Sequence, residues 1–311
     1  MDLAQAVRDA KPNDTLKVPP GRYTVNLELT RPITLVAMGQ VVLDGLHAGS
    51  VVRITTDGLV RLSGFTLVGG NAPDAGGAVS LLQGTLELQD CTLRFNKAPL
   101  YGGGGLYVRD GKAKATRCRF EANTGRQGGA ILVDALGELR LEDSTVIQNA
   151  AVEGGGLRVK EGANLEVLGC TIADNKVVGE SASGGALHAA GTMTRAPTVK
   201  ITNSIIAERA EGAPCIFNAS QHPANLTVSN SLLPEWCIAL GGDNFFGSPG
   251  FAMSGTEPYL LTQSSPAVGA ADVAAFSDGS KDVAGRARVK SGSADLGAFA
   301  YVAGGSSKLP Y

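Results

Sequence analysis

The chain has 311 residues, of which 43% are hydrophobic and 18% charged, and this composition excludes an intrinsically disordered protein. A net charge of −2 gives no electrostatic basis for binding nucleic acid or an anionic membrane. No apolar run reaches the ~18 residues that cross a bilayer. Glycine is abundant, with 42 residues at recurring positions, which indicates tight corners rather than flexible linkers.

The N-terminal segment from Asp2 to Ala10 predicts a short helix with Leu3, Ala6 and Val7 on its apolar face. Short β-branched segments broken by turns follow it. A helix at the open end of a solenoid covers exposed core and strand edges, so we interpret residues 1–31 as an N-terminal cap with an entry strand. The opening stretch is polar and does not read as a signal peptide, which fits either a cytosolic protein or a mature exported form.

From Gly76 to Asn175 one phrase recurs about every 26 residues: glycines, an apolar run, a polar turn, a second apolar run and an asparagine. Helical and leucine-rich repeats fit this period poorly, whereas three short strands with turns fit it well. The sequence therefore predicts an all-β, single-stranded parallel β-helix of about 8–10 coils over residues 32–236. Residues 237–311 are not repetitive and are expected to form an irregular C-terminal cap on the same domain.

Alternation along each strand predicts columns of like residues on successive coils. One column outside the core carries charges of both signs. We expect opposite charges to be neighbours on successive coils at Glu87–Lys114, Arg140–Glu166 and Glu166–Lys200, with Lys114–Arg140 as a like pair. The columns expected to point inward are Val79, Leu106, Ile131, Leu157 and Leu187; Leu86, Ala113, Leu139, Leu165 and Val199; and Leu93, Phe120, Val146, Ile172 and Ile206.

Asparagine and cysteine recur at fixed places in the phrase and are interpreted as structural ladders. Asparagine tolerates a left-handed backbone and can hydrogen-bond along a stack, while cysteine packs as a small apolar side chain. The ladder residues are Asn96, Asn123, Asn149, Asn175, Cys91, Cys118 and Cys170. Cys215 and Cys237 are less regular; they could form a disulfide in an exported protein, and the sequence leaves open whether they are bonded.

Three resemblances to known families follow from specific phrases. Phe120-Glu121-Ala122-Asn123 followed by Gly128-Gly129-Ala130-Ile131 resembles the repeats of polymorphic outer-membrane, autotransporter-type proteins. The segment Asp295-Leu296-Gly297-Ala298-Phe299, together with Asp282 and Arg286, resembles the tail of bacterial surface proteins that carry a right-handed β-helix and a variable anchor. That resemblance assigns Asp282, Arg286 and Asp295 to the cap, where charge-assisted hydrogen bonds would tie it together.

The first 45 residues resemble the start of pectate-lyase-like β-helix proteins. This resemblance implies a right-handed coil and a superfamily that includes polysaccharide lyases, glycosidases, epimerases and proteins without known activity. A lyase acting on a uronic polysaccharide needs a base and a charge neutraliser on one outward face. A hydrolase needs two carboxylates ~5–10 Å apart, and we find no such pair on one outward face.

The best candidates for catalysis lie in the outward column Ser80, Tyr107, Leu132, Arg158 and His188. Tyr107, Arg158 and His188 are the catalytic candidates, and the next column adds Arg109, Asp134 and Lys160 as candidate ligand-binding residues for an acidic sugar. The alternative interpretation is an ordinary solvated face. No metal site is predicted; Ca²⁺ binding near Asp243-Asn244 and Asp272 lacks the spacing of a ligand loop.

The leading hypothesis is a non-catalytic surface or secreted bacterial β-helix used for adhesion, carbohydrate binding or scaffolding. The alternatives are a polysaccharide lyase or related enzyme working through the outward face, and a cytosolic or toxin-linked module. The expected partners are a polysaccharide or a surface protein, with no nucleic acid and no membrane span. The sequence does not specify the ligand or the oligomeric state.

Overall fold

The computed structural model describes residues 1–179, 183–208, 214–237, 242–252 and 259–303. They form a parallel β-solenoid of about 8 turns, which confirms the predicted fold class. The solenoid opens with an α-helix, Leu3–Asp9, and a single 3₁₀ turn, Val273–Ala275, lies in the C-terminal region of the described chain. None of the helices in these ranges is long and apolar enough to span a membrane.

The described strands form three parallel sheets that wrap one elongated core. Most coils contribute two strands to the largest sheet and one to the medium sheet, and four coils add a strand to the smallest sheet. The largest sheet contains Thr15–Val18, Gly21–Thr24, Ile33–Asp44, Leu59–Val68, Gly84–Gln89, Thr92–Arg94, Gly111–Thr116, Arg119–Glu121, Glu138–Glu142, Thr145–Ile147, Asn164–Leu168, Thr171–Ala173, Thr198–Thr202, Ile205–Ala207, Asn225–Ser229, Leu232–Leu233 and Phe245–Phe246. The medium sheet contains Leu27–Leu29, Val52–Ile54, Val79–Leu81, Leu106–Arg109, Ile131–Asp134, Leu157–Lys160, Leu187–Ala190 and Ile216–Asn218. The smallest sheet contains Lys97–Gly102, Thr124–Gln127, Ala150–Ala151 and Lys176–Val177.

The register between coils agrees with the predicted inward columns. Leu106 pairs with Val79 and with Ile131, and Leu139 pairs with Ala113 and with Leu165. These side chains are buried in one continuous hydrophobic cluster that runs from the N-terminal helix to Cys237. Apolar residues stack on apolar residues because parallel coils repeat every ~4.8 Å, so each inward column keeps its apolar character.

Glycine is required where the chain turns into the medium sheet, as the coil around Gly128 and Gly129 illustrates. Gly128 has a φ of +61°, and a Cβ there would lie 2.0 Å from the Ile131 carbonyl oxygen. A Cβ on Gly129 would lie 2.2 Å from the Gly155 carbonyl oxygen of the next coil. The first glycine therefore supplies a left-handed backbone, and the second allows two coils to approach closely.

The outward charged column has the predicted register, but its ion pairs differ in part from the expectation. Arg140 and Glu166 pair at 2.8 Å as expected. Glu87 instead pairs with Arg61 of the preceding coil at 2.6 Å, and Lys114 pairs with Glu142 at 2.8 Å. Glu87 and Lys114, and likewise Glu166 and Lys200, lie in register on successive coils as predicted. Among the described residues these neighbours do not form direct ion pairs, because long exposed side chains reach diagonally as easily as straight across.

The N-terminal helix covers the first coil, and the C-terminal residues lie against the side of the later coils. The N-terminal helix is capped by the Asp2 carboxylate, which accepts from the Gln5 amide at 2.9 Å, and it buries Leu3 and Val7 against the first coil. Near the other end, Cys215 and Cys237 form a disulfide, which the sequence left open. The more C-terminal residues pack against the side of the later coils through two small hydrophobic clusters.

Candidate functional site

The candidate catalytic column lies on the outer face of the medium sheet, but it is enclosed. Tyr107 pairs in register with Leu132, Leu132 with Arg158, and Arg158 with His188. Only 4% of Tyr107 and 6% each of Arg158 and His188 is exposed. The interpretation of this column as a solvated face is therefore wrong: the side chains point away from the core and are buried beneath other parts of the chain.

The cover comes from residues that immediately precede the glycine corners. Tyr101 packs edge-on against Tyr107 with ring centroids 6.1 Å apart. Glu153, just before Gly154, contacts Arg158, and Ser183, just before Gly184, contacts His188. The repeat pattern does not mark these residues, because they belong to the segments between the asparagines and the glycines, whose length and sequence vary from coil to coil.

Arg158 is neutralised and hydrogen-bonded by its own chain. Its Nε donates to the Glu153 carboxylate at 3.1 Å, and its Nη1 donates to the carbonyl oxygens of Val159 and His188 at 2.9 and 3.3 Å. Burial lowers the pKa of Arg158, while the Glu153 carboxylate opposes this shift. Gln127 donates to the same carboxylate at 3.1 Å, so the ion pair has an additional partner.

His188 is held as a neutral ring. Its Nδ1 lies 2.7 Å from the Ser183 hydroxyl, and its ring packs 4.7 Å from the ring of Phe217 in the next coil. Burial, reinforced by the nearby Arg158 charge, lowers the pKa of His188 to about 4. A neutral imidazole can accept a proton in principle, but this one is packed against an aromatic ring and is already engaged at Nδ1.

The candidate ligand-binding column forms a second polar cluster beside the first. The Tyr101 hydroxyl donates to Asp134 Oδ2 at 2.6 Å, and Lys160 Nζ donates to the Tyr101 hydroxyl at 3.2 Å. Lys160 Nζ also lies 3.9 Å from Asp134 Oδ1. Arg109 stands apart, exposed and paired with its neighbour Asp110 at 3.1 Å. The structure therefore brings Asp134 and Lys160 together and leaves Arg109 outside their cluster.

The chemistry open to this face is limited. Burial, followed by the Asp134 carboxylate, raises the pKa of Tyr107, so its phenol stays protonated at neutral pH and is not a base. The carboxylates of Asp134 and Glu153 are each tied to a cation of the same face. Each of these charged groups is paired with another group of the protein. This arrangement is typical of a structural network rather than of a site whose charges bind substrate.

The repeating asparagines form a hydrogen-bonded stack inside the solenoid. Asn149 Oδ1 accepts from the backbone amide and the side-chain amide of Asn123 at 2.9 and 3.0 Å. Asn149 Nδ2 donates to Asn175 Oδ1 at 3.0 Å and to the Ile147 carbonyl oxygen at 2.9 Å. The left-handed backbone lies one residue earlier, at positions such as Gln148 with a φ of +58°, rather than on the asparagines as the sequence suggested.

The stack ends at Glu208, a residue that the repeat does not indicate. Its Oε1 accepts from Asn175 Nδ2 at 2.8 Å, and Oε2 has no hydrogen-bond partner among the described residues. Only 7% of the residue is exposed, and burial raises the pKa of Glu208 to about 8. Glu208 thus carries a proton at neutral pH, and its Oε2 atom is shielded from solvent.

The cysteine column runs beside the stack. Cys91, Cys118 and Cys170 are free and buried, and the Cys118 amide donates to the Ser144 hydroxyl of the next coil at 2.9 Å. Burial raises the pKa of Cys118 and of Cys170, so both thiols remain protonated. They are packing residues with no access to solvent.

The cap residues suggested by the tail resemblance are central to its hydrogen bonding. The buried Asp282 carboxylate accepts from the backbone amides of Ala284, Arg286 and Ala300 at 2.8–3.0 Å and pairs with the Arg286 guanidinium at 2.7 Å. Asp295 accepts from the amides of Gly269 and Tyr301, each at 2.7 Å.

Sequence reasoning missed Arg288, which joins the cap to the solenoid. Its side chain is fully buried, and its Nε donates to Asp143 at 2.9 Å while Nη2 donates to the Gly169 carbonyl oxygen at 2.8 Å. Burial raises the pKa of Asp143 to about 6 against the opposing effect of Arg288. A lone arginine in a non-repetitive tail gives no sequence signal for this contact.

A cleft of about 790 Å³ lies where the later coils meet the cap. Its lining includes Trp236, Phe251, Tyr259, Asp174 and Glu208. The Tyr259 hydroxyl donates to Asp174 Oδ2 at 2.9 Å, and the Phe251 and Tyr259 rings stand edge to face 5.4 Å apart. The sequence signal for this site is weak, because its residues come from separate segments and only the coil positions belong to the repeat.

No group of three potential metal ligands is found within the described ranges. The two segments considered for Ca²⁺ have other roles there. Asp272 caps the 3₁₀ turn by accepting from the Ala274 amide at 3.0 Å. Asn244 accepts from the Ser231 amide at 3.1 Å and donates to the Val228 carbonyl oxygen at 2.6 Å. This donor set does not indicate a calcium site.

Comparison with known proteins places the chain by fold. No curated protein sequence matches it. The crystal structure of the pectin methylesterase from Aspergillus niger in deglycosylated form is 13% identical, with a TM-score of 0.38, over 80% of this chain and 76% of that chain. A PL6 alginate lyase in complex with a trisaccharide is 14% identical, with a TM-score of 0.34, over 81% of this chain and 58% of that chain. At these identities and TM-scores neither likeness indicates a function. A family model described as the right-handed β-helix region matches residues 50–233, more than half of the chain, and the protein therefore belongs to that family.

Proposed function

We propose that the protein is a non-catalytic, exported β-helix that binds a carbohydrate. The observation that carries the proposal is the enclosure of Tyr107, Arg158 and His188, the residues that a lyase would need exposed. Their polar groups are engaged by Asp134, Glu153, Ser183 and backbone carbonyl oxygens. A catalytic face would instead leave a base and a cation free to meet the substrate.

Two further observations support binding and export. The cleft beside the cap combines aromatic rings with polar side chains, which is the usual composition of a small-molecule site. The Cys215–Cys237 disulfide favours an oxidising compartment, because cytosolic thiols are kept reduced. A surface or secreted location therefore fits this chain better than a cytosolic or toxin-linked role.

A glycan-array screen of the purified, unreduced protein tests the binding part of the proposal. We expect saturable binding to at least one glycan class, with the same preference after the chain is refolded from urea. Binding to no glycan class at concentrations up to the millimolar range would overturn the proposal and would redirect the search to a protein partner. Loss of binding on disulfide reduction alone would show only that the cap must be intact.

A further inference from the structure

The first strand of the medium sheet has one unpaired edge. Leu27–Leu29 lies at the end of that sheet and, among the described strands, pairs only with Val52–Ile54. The Leu27 amide donates to the Val51 carbonyl oxygen at 2.8 Å, so the backbone of Leu27 faces the neighbouring strand. Because the direction of the backbone groups alternates along a strand, the N–H and C=O of Glu28 point the other way. Neither group has a hydrogen-bond partner among the described residues.

A groove of about 380 Å³ leaves this edge accessible. The N-terminal helix covers the end of the core but does not fill the space beside the strand. The helix side of the groove includes Ala4, Val7 and Arg8, and the strand side includes residues 26–31. Glu28 is exposed there, and the chain is described without a gap from residue 1 to 179. The volume is within the range of sites that accept a ligand.

The backbone groups at this edge suit an extended peptide. A strand edge with free N–H and C=O groups is a template for another strand, and peptide amides match its spacing. Hydrogen bonds to Glu28 would fix the register of an added strand, while Ala4 and Val7 offer apolar contact on the far side of the groove. Because the helix bounds that far side, the groove fits one added strand and not a growing sheet.

The charge around the groove favours an acidic segment. Arg8 and Arg31 line the groove, and Arg53 is the register partner of Glu28 in the neighbouring strand. The hydrogen bonds of Arg8 and Arg31 go to neutral oxygen atoms, each at 2.7 Å. None of the three arginines, and not Glu28, forms an ion pair within the described ranges. Three guanidinium groups and one carboxylate give these four groups a net charge of about +2, which attracts acidic side chains and repels basic ones.

We infer that this groove is a docking site for an extended acidic segment of a partner protein. The segment adds as a strand beside Leu27–Leu29, and its carboxylates lie against Arg8, Arg31 and Arg53. The groove is on the first coil, whereas the cleft beside the cap is on the later coils. The inference therefore goes beyond carbohydrate binding and does not depend on it.

A displayed library of random heptapeptides, panned against the purified protein, tests the charge of the partner. We expect enrichment of peptides in which acidic residues outnumber basic ones. The tightest binder is then synthesised and titrated calorimetrically against three variants with native circular dichroism. Arg8→Glu and Arg53→Glu should each weaken binding about 5-fold or more. Arg126→Glu, which reverses the charge of an exposed arginine outside the groove lining, should leave binding unchanged.

Amide hydrogen exchange with the same peptide tests the added strand. Saturation with the peptide should slow exchange of the Glu28 amide at least 10-fold, because that amide gains a hydrogen-bond acceptor. Amides of the Ile216–Asn218 strand, at the other end of the same sheet, should exchange at an unchanged rate.

The outcomes are separate from those of the glycan array. No enrichment, enrichment without an acidic bias, or equal binding by the wild type, Arg8→Glu and Arg53→Glu overturns the inference. Binding that leaves the Glu28 amide unprotected overturns it as well, because the peptide then binds elsewhere or without adding a strand. Protection of Glu28 that grows with protein concentration in the absence of peptide would place a second copy of the chain at this edge and overturn the acidic partner. None of these results changes the carbohydrate proposal, which the array tests alone.

Discussion

The asparagine stack makes a sharp prediction for Asn149→Ala. Asn149 Oδ1 accepts from the two amides of Asn123, and the two hydrogens on Nδ2 are shared among Phe120 O, Ile147 O and Asn175 Oδ1, all at 2.9–3.0 Å. Truncation leaves the buried Asn123 backbone amide without this acceptor, at a cost of ~1–3 kcal/mol, and removes the two hydrogen bonds that the Nδ2 hydrogens donate, worth ~1 kcal/mol each. We expect a total loss of about 4 kcal/mol, a large fraction of the ~5–15 kcal/mol that stabilises most proteins.

Urea denaturation followed by circular dichroism measures the loss. With an m-value of about 3 kcal/mol per molar, the midpoint should fall by ~1–2 M. The matched control is Asn164→Ala, which removes an exposed asparagine from a strand of the largest sheet and should change the stability by less than ~0.5 kcal/mol. Equal midpoints for the two variants would refute the view that the stack contributes to stability.

Three further predictions concern the corners, the end of the stack and the disulfide. Gly129→Ala should cost about 3 kcal/mol or more in the same urea assay. Gly242→Ala, where a Cβ meets no atom of the described residues within 4 Å, should be neutral; similar stabilities would contradict the close approach of coils. The folded-state pKa of Glu208 is raised to about 8. Its contribution to the free energy of unfolding is therefore complete below pH ~4.5 and is lost as pH rises towards 8. Glu208→Gln should reduce this fall in stability, which is on the order of a few kcal/mol. If the variant shows the same dependence of stability on pH as the unmodified protein, the raised pKa of Glu208 is contradicted. Thiol titration in denaturant should find 3 free thiols without reductant and 5 with it, and 5 in both would exclude the Cys215–Cys237 bond.

The fold could be predicted because it depends on local, repeated constraints. A side-chain period of two and a coil spacing of ~4.8 Å force columns such as Leu106 and Ile131 to stay apolar and to keep one face. Glycines at corners such as Gly129 are required by backbone contact within and between coils, which any copy of the repeat reveals. The same logic located the asparagine stack, although the left-handed backbone falls on the preceding residue.

The burial of the candidate site could not be predicted from the repeat. Whether Arg158 and His188 are exposed depends on Glu153 and Ser183, which lie in the variable segments between the asparagines and the glycines. The alternation of side chains along a strand predicts only that a side chain points away from the core. It does not predict whether another segment of the chain covers that side chain. The cleft around Trp236 is harder still, because its parts are far apart in the sequence and meet only when the cap packs on the coils.

The most direct measurement of the central claim is a turnover assay on acidic polysaccharides, with absorbance at 235 nm to detect an unsaturated uronate and a reducing-end assay to detect hydrolysis. With the outer face enclosed, we predict no signal above a protein-free blank for pectate, alginate or related substrates. A rate of product formation that increases in proportion to protein concentration would contradict the account if it is lost in Arg158→Ala and His188→Ala variants whose circular dichroism is native. A rise that persists in both variants would show that turnover does not use this face, and it would equally overturn a non-catalytic role once the activity co-purifies with the protein.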